Sequence, residues 1–334
     1  MRLSRLAPLV LVVAHVASAC GSSRDGTSTS TRVISASSRL PATAGTSSTM
    51  ASTSTSPTTI RAPRRYEAPE YEPEGELKAV AARFVETVGT FQSGGGAVEA
   101  TADRLEAAGF DRGLAAQAIA LISGADSSTA EIVYPQLGGL TGGEASVMVI
   151  VNLDRRTTGS GGTERVSRTL DIRLKRTEEW VVVAVASDGG AVPAGAQPDP
   201  LATQVLASDR LSMSDSARWD VAAGRVDPRI LRLVLDLSAK ERLCITAFAT
   251  GHPVNVFGQA SVSNHTRGRG VDIWSVGGTP VLGAATGSPA RTVADLAMAA
   301  GVTELGAPWD LDGQGGPSFT NALHADHIHI AYDR

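Results

Sequence analysis

The sequence predicts an α+β protein built as two folded domains in series. Three observations carry this expectation. Segments of helical period are followed by four strand-like segments between residues 66 and 190. A Pro/Gly-rich break, "GGAVPAGAQPDP", falls near residues 189–200. A second mixture of helical and strand-like stretches then runs from residue 200 to 334. A length of 334 residues suits about two domains.

The chain opens with a targeting pattern. Arg2 and Arg5 form a basic start, "LAPLVLVVAHVA" is an apolar run too short to span a bilayer comfortably, and "ASAC" ends it with small residues before Cys20. Residues 1–19 therefore read as a signal peptide. A cysteine at that place resembles the bacterial lipobox, with Ala17 standing where Leu or Val is usual. The resemblance implies lipid on Cys20 and an extracytoplasmic protein of the cell envelope held at the membrane. The plainer alternative is a secretory signal with an incidental cysteine. Only Cys20 and Cys244 occur, so lipid on Cys20 leaves no intramolecular disulfide, and Cys244 within "LCITAFAT" reads as a small buried hydrophobe. From residue 20 to 65 the Ser/Thr-rich composition cannot bury enough apolar surface to offset ordering entropy, and a disordered tether is expected.

In the first folded domain, "ELKAVAARFVETV" and "RGLAAQAIALIS" carry apolar residues at helical spacing. "AEIVYPQL", "ASVMVIVNLD", "SRTLDIRLKR" and "EWVVVAVASD" read as strands joined by polar or Gly-rich turns. Helices followed by an antiparallel meander resemble the cone-shaped NTF2-like domains. No cluster of His, Asp or Glu in this region proposes chemistry, so it reads as a spacer, or as a positioning module with a possible protein partner.

The second domain begins with helical stretches around "DSARWDVAAG" and "PRILRLVLDLSA" and the strand-like "LCITAFAT". Two polar clusters follow. In "SNHTRGRGVDIW", Gly268 and Gly270 allow a tight turn between His265 and Asp272. In "HADHIHIAYDR", His327 and His329 share one face of an extended segment while Ile328 and Ile330 face the other way. Two imidazoles and one carboxylate fill three positions of a tetrahedral Zn²⁺ and leave the fourth for water, the pattern of a catalytic zinc site. The net charge of −4 gives no general attraction to nucleic acid. No Lys is preceded at three residues by Ser, since Gly75, Ile172 and Leu237 hold those places, which excludes a penicillin-binding type of serine enzyme.

These two clusters resemble a known group. "SNHTRGRGVDIW" is similar to the S-x-H-x-x-G-x-A-x-D motif of zinc D-Ala-D-Ala peptidases, with Gly270 where alanine is usual. "HADHIH" resembles the H-x-H element shared by lysostaphin-type endopeptidases, D-Ala-D-Ala metallopeptidases and hedgehog signalling domains. His324, His327 and His329 also reproduce the H-x-x-H-x-H of penicillin-insensitive murein endopeptidases. The resemblance covers about the last 110–130 residues. It implies a hedgehog/D-Ala-D-Ala-peptidase-like α+β domain over residues 200–334, Zn²⁺ held by His265, Asp272 and His329, and hydrolysis of peptidoglycan peptides as a carboxypeptidase or endopeptidase. The catalytic base is His327 or Asp326. Strand parity favours His327, with Asp326 orienting an imidazole. His324 could bind substrate or sit on a solvent-facing loop, Ser263 suits the turn before His265, and Arg267 and Arg269, within the loop of the motif, read as solvated arginines or as ligands of a peptide carboxylate. The alternative function is a catalytically inactive zinc- or peptide-binding wall protein.

Overall fold

The computed structural model describes residues 65–157 and 162–334. The expected signal peptide, Cys20 and the tether up to residue 64 lie outside the described residues. The described chain is mixed α/β with seven α-helices, one antiparallel sheet and one mixed sheet. No helix among the described residues is long and apolar enough to cross a membrane.

The first half holds α1 (Gly75–Gly89), α2 (Val98–Ala107) and α3 (Leu114–Ile122), then strands β1 (Ala125–Leu140), β2 (Glu144–Thr157), β3 (Thr163–Arg176) and β4 (Trp180–Ser187). The strands pair in the order β1-β2-β3-β4, antiparallel throughout. Helix α1 forms because Leu77, Ala81, Phe84, Val85 and Val88 recur at helical spacing, and this stripe is buried. It packs with α2 and α3 on one face of the sheet, in a core that includes Leu105, Leu121, Val147, Val149, Leu170 and Ile172. Strand β2 is buried at every position from 145 to 153, so both faces of the sheet are covered.

What covers the other face is the second half. It comprises α4 (Pro200–Ala207), β5 (Leu211–Met213), α5 (Asp215–Ala222), α6 (Pro228–Ser238), β6 (Leu243–Ala247), β7 (Gly270–Val276), β8 (Thr279–Pro280), α7 (Pro289–Ala299), β9 (Glu304–Gly306), β10 (Ser318–Phe319) and β11 (Ile328–Ala331). Its sheet runs β10-β9-β11-β7-β6-β5, with β8 on β7. Asp199, Ser214, Asp227 and Ser288 each cap a helix by accepting a first-turn backbone N–H, and Pro follows in α4, α6 and α7. A second apolar core, with Ile230, Val234, Ile245, Val271, Ile273, Val293 and Ile330, lies between these helices and the sheet. The sequence leaves α2, α4, α7, β5, β9 and β10 unassigned; all are short or weakly patterned.

The contact between the halves is small in apolar area and rich in hydrogen bonds. Tyr134 stacks on Trp274 with ring centroids 5.0 Å apart, beside Ile150 and Cys244. Thr169 Oγ1 donates to the Thr246 carbonyl at 2.8 Å, and the Thr169 N–H donates to Ser216 Oγ at 3.1 Å. Cys244 is buried in this apolar cluster, as its neighbours in sequence imply. Gly139 explains a further close approach: a Cβ there would lie 2.0 Å from the Phe257 ring, so only glycine lets the loop after β6 settle on β1.

Candidate metal centre

Strands β7 and β11 are antiparallel neighbours, and their register sets Asp272 directly opposite His329. Cross-strand partners project to the same face, so the two side chains meet: His329 Nδ1 lies 2.9 Å from Asp272 Oδ1. The turn before β7 returns His265 over the same point. Gly268 takes φ +72°, and a Cβ there would strike the Arg225 carbonyl. Gly270 serves differently. It lies in the strand, and a Cβ would come within 2.9 Å of the His265 ring. A side chain at Gly270 would therefore push His265 from this position.

His265 Nε2 ends 3.0 Å from His329 Nδ1 and 3.2 Å from Asp272 Oδ1. Three atoms thus form a triangle with edges of 2.9–3.2 Å. A tetrahedral ion with bonds of about 2.0–2.1 Å sets its ligand atoms about 3.3–3.4 Å apart, so a shift of a few tenths of an ångström admits one. His252 belongs to the same cluster. His252, His265 and Asp272 offer ligand atoms all within 4.8 Å of one another, and this group could hold a metal ion. The triangle through His329 is tighter and makes the better base of a tetrahedron. His252 stacks on His265 with centroids 3.8 Å apart and gives its Nδ1–H to the Pro253 carbonyl at 2.8 Å, leaving Nε2 as its second potential ligand.

Hydrogen bonding behind the triangle fixes what its atoms offer. His265 Nδ1 faces the Phe248 carbonyl at 2.6 Å, and a carbonyl only accepts, so the proton sits on Nδ1 and a lone pair on Nε2. His329 Nε2 faces Glu304 Oε1 at 3.5 Å, which puts the lone pair of a neutral ring on Nδ1. Gln136 Nε2 donates to Asp272 Oδ2 at 2.9 Å and leaves Oδ1 for the centre. Three acceptors converge, and such a set requires a proton or a cation between them. Without metal the proton goes to His329: burial opposes the charge, but hydrogen bonds to Asp272 and Glu304 and their negative charge outweigh it and raise the pKa to about 10. Burial likewise pushes Asp272 upward, yet the imidazoles of His265 and His327 hold its carboxyl well below the usual range.

His327 precedes β11 and lies on the same side, with Nε2 3.9 Å from Asp272 Oδ1. Its Nδ1–H donates to Asp326 Oδ1 at 2.6 Å. Asp326 does not face the triangle. Its Oδ2 accepts from Lys78 Nζ at 2.5 Å and from the Leu137 N–H at 3.1 Å, so both oxygens are engaged behind His327. Burial raises the Asp326 carboxyl, but Lys78 and His327 together hold it below its ordinary value.

Ser263 Oγ accepts the His265 N–H at 3.2 Å and holds the turn. His324 rests flat on Gly306, donates Nδ1–H to Asn321 Oδ1 at 2.8 Å, and is kept neutral by burial. Burial lowers the His252 pKa in the same way. Arg269 donates to the Asp333 carbonyl, while Arg267 lines the cleft. That cleft, of about 290 Å³, is bounded by His252, His324, His327, His329, Glu304 and Arg267 among others. Glu304, Gln136 and Lys78 are absent from the sequence reading, since single polar residues in unrelated segments carry no spacing signal.

No protein-family model matches this chain, and neither the curated proteins nor the solved structures gave a match.

Proposed function

We propose that the protein is a zinc-dependent peptidase that hydrolyses peptide bonds of peptidoglycan in the cell envelope. The observation that carries this reading is the convergence of His265 Nε2, His329 Nδ1 and Asp272 Oδ1 beneath a cleft, with His327 Nε2 turned toward the same point. The donor set, two imidazoles and one carboxylate, suits zinc and leaves a coordination position for water. A bound Zn²⁺ supplies a Lewis acid and lowers the pKa of water toward about 7. His327 takes the proton of the attacking water at Nε2 and returns it to the departing amine as the C–N bond breaks. Asp326 holds the Nδ1–H and fixes the ring's orientation, so it is a positioning residue, with His327 as base. Wall peptides as substrate, and the NTF2-like and hedgehog/D-Ala-D-Ala-peptidase-like assignments of the two halves, come from the motif and element-order resemblances.

The experiment is metal analysis of the full chain together with digestion of muropeptides by wild type, His327→Ala and Asp326→Ala. Zinc near one equivalent and cleavage lost in His327→Ala support the reading. Absence of zinc binding defeats it. One observation favours a second reading, a wall-binding protein without activity: His252 beside His265 could complete four protein ligands and close the site. Zinc bound without cleavage, and cleavage gained in His252→Ala, would identify that state.

Export with lipid on Cys20 completes the proposal. The intact mass of the mature protein tests it: a lipid-bearing Cys20 supports the reading, and a bond between Cys20 and Cys244, the chain's two cysteines, overturns it.

A further inference from the structure

The first half supplies buried polar groups that reach into the candidate metal centre. Gln136 lies on β1 and is fully buried. Its amide is clamped at both ends: Nε2 donates to Asp272 Oδ2, and Oε1 accepts from Thr246 Oγ1 on β6. A carboxylate can only accept, so the amide has one permitted orientation. The next residue, Leu137, gives its backbone N–H to Asp326, and Gly138 after it lines the cleft. Three consecutive residues of β1 thus touch both carboxylates of the centre and its opening. Helix α1 adds Lys78, fully buried on the helix's packed side, which donates to Asp326 and to Glu72 while Tyr134 Oη donates to Glu72 at 3.0 Å.

We propose that Gln136 and Lys78 are positioning residues of the metal centre, Gln136 acting through Asp272 and Lys78 through Asp326 and His327, so that the helix-and-meander half is a working part of the site. The inference rests on the peptidase reading for its catalytic arm alone. Gln136 leaves one Asp272 oxygen for the ion by occupying the other. Lys78 neutralises Asp326 on the side away from His327 and fixes the carboxylate that aims the imidazole. Partners behind metal-bound groups commonly govern affinity or activity by about 10–100-fold.

The test uses the full chain and Co²⁺, whose visible absorption reports tetrahedral coordination. Gln136→Leu is expected to weaken Co²⁺ binding about 10–100-fold and to shift the absorption bands, with far-ultraviolet circular dichroism unchanged. Lys78→Met alone strands two buried carboxylates and risks unfolding, so it is paired with Glu72→Gln. That double variant is expected to keep Co²⁺ affinity while kcat on muropeptides falls about 10–100-fold and KM stays constant. Wild-type spectra, affinity and turnover in both variants would overturn the inference while leaving the peptidase reading intact. A wild type that binds Co²⁺ and cleaves nothing defeats the peptidase reading, and the Gln136 arm then still decides this one. A wild type that binds no Co²⁺ defeats both.

Discussion

The two faces of the first sheet are buried for opposite reasons. Toward the helices it presents Leu137, Val147, Val149, Val151, Leu170 and Ile172 to Leu77, Phe84 and Leu105, and nearly every contact is apolar. Toward the second sheet it presents Tyr134, Gln136, Ser146, Thr169 and Asp171, all buried and most held by named hydrogen bonds. Burying polar groups costs free energy unless each finds a partner, so the second face gains little stability from area. It gains definition: the bonds of Gln136 to Asp272 and Thr246 and of Thr169 to Thr246 fix one arrangement of the sheets, and the first of them ends at the candidate metal centre. The helix face keeps the fold, and the sheet-to-sheet face keeps the site.

Substitutions on each face should separate these roles. The largest effect is expected at the centre itself. His329→Ala removes a proposed ligand and should abolish stoichiometric zinc, while His327→Ala should retain zinc and lose about 10²–10⁴-fold in turnover; equal zinc loss in both would erase the distinction between ligand and base. On the helix face, Phe84→Ala should cost about 3–5 kcal/mol of unfolding free energy in urea titrations, with zinc affinity of the folded protein unchanged. Lys78→Met crosses the comparison. It leaves Asp326 and Glu72 buried without their cation, costs about 3–5 kcal/mol, and also lowers turnover in whatever protein remains folded.

A smaller and sharper effect is expected at Gly270. An alanine Cβ would displace the His265 ring, so Gly270→Ala should weaken zinc affinity roughly tenfold with little change in urea midpoint. A separate test is a pH effect in metal-free protein. His329 titrates near 10 in the fold against an ordinary 6.5. A raised pKa stabilises the folded state fully below pH 6.5, and that contribution disappears as pH rises through about 10. The decline in urea midpoint between pH 7 and 10 should therefore be shallower in His329→Gln. Metal uptake at pH 8 should also release a proton, readable by calorimetry in buffers of different ionisation enthalpy.

The pattern of what could be read in advance follows the same division. Short-range periodicity placed α1, α3, α5, α6 and the strands β1–β4, β6, β7 and β11, because each is a local match of apolar spacing to helix or strand. Parity alone put His327 and His329 on one side of the last strand, and the glycines between His265 and Asp272 signalled the returning turn. Gln136 and Lys78 were illegible because their partners lie 136 and 248 residues away. A weaker signal did exist. Lys78 sits on the same stripe as Ala82 and Val85, and the unbroken apolar run of β2 left no solvent face for the sheet to which Gln136 belongs. A lysine on an apolar stripe beside a two-sided strand marks a buried ion pair whose partner must come from elsewhere.

Strand β11 lies between β9 and β7 in the interior of its sheet, and it carries His329. An interior strand whose neighbours come from distant stretches of chain joins only once those neighbours are formed, and such non-local pairing is slow. The candidate metal pocket is thus expected to be completed late in folding. Zinc should accordingly act as a lock, slowing the unfolding rate and leaving the refolding rate of the chain nearly as it is without metal.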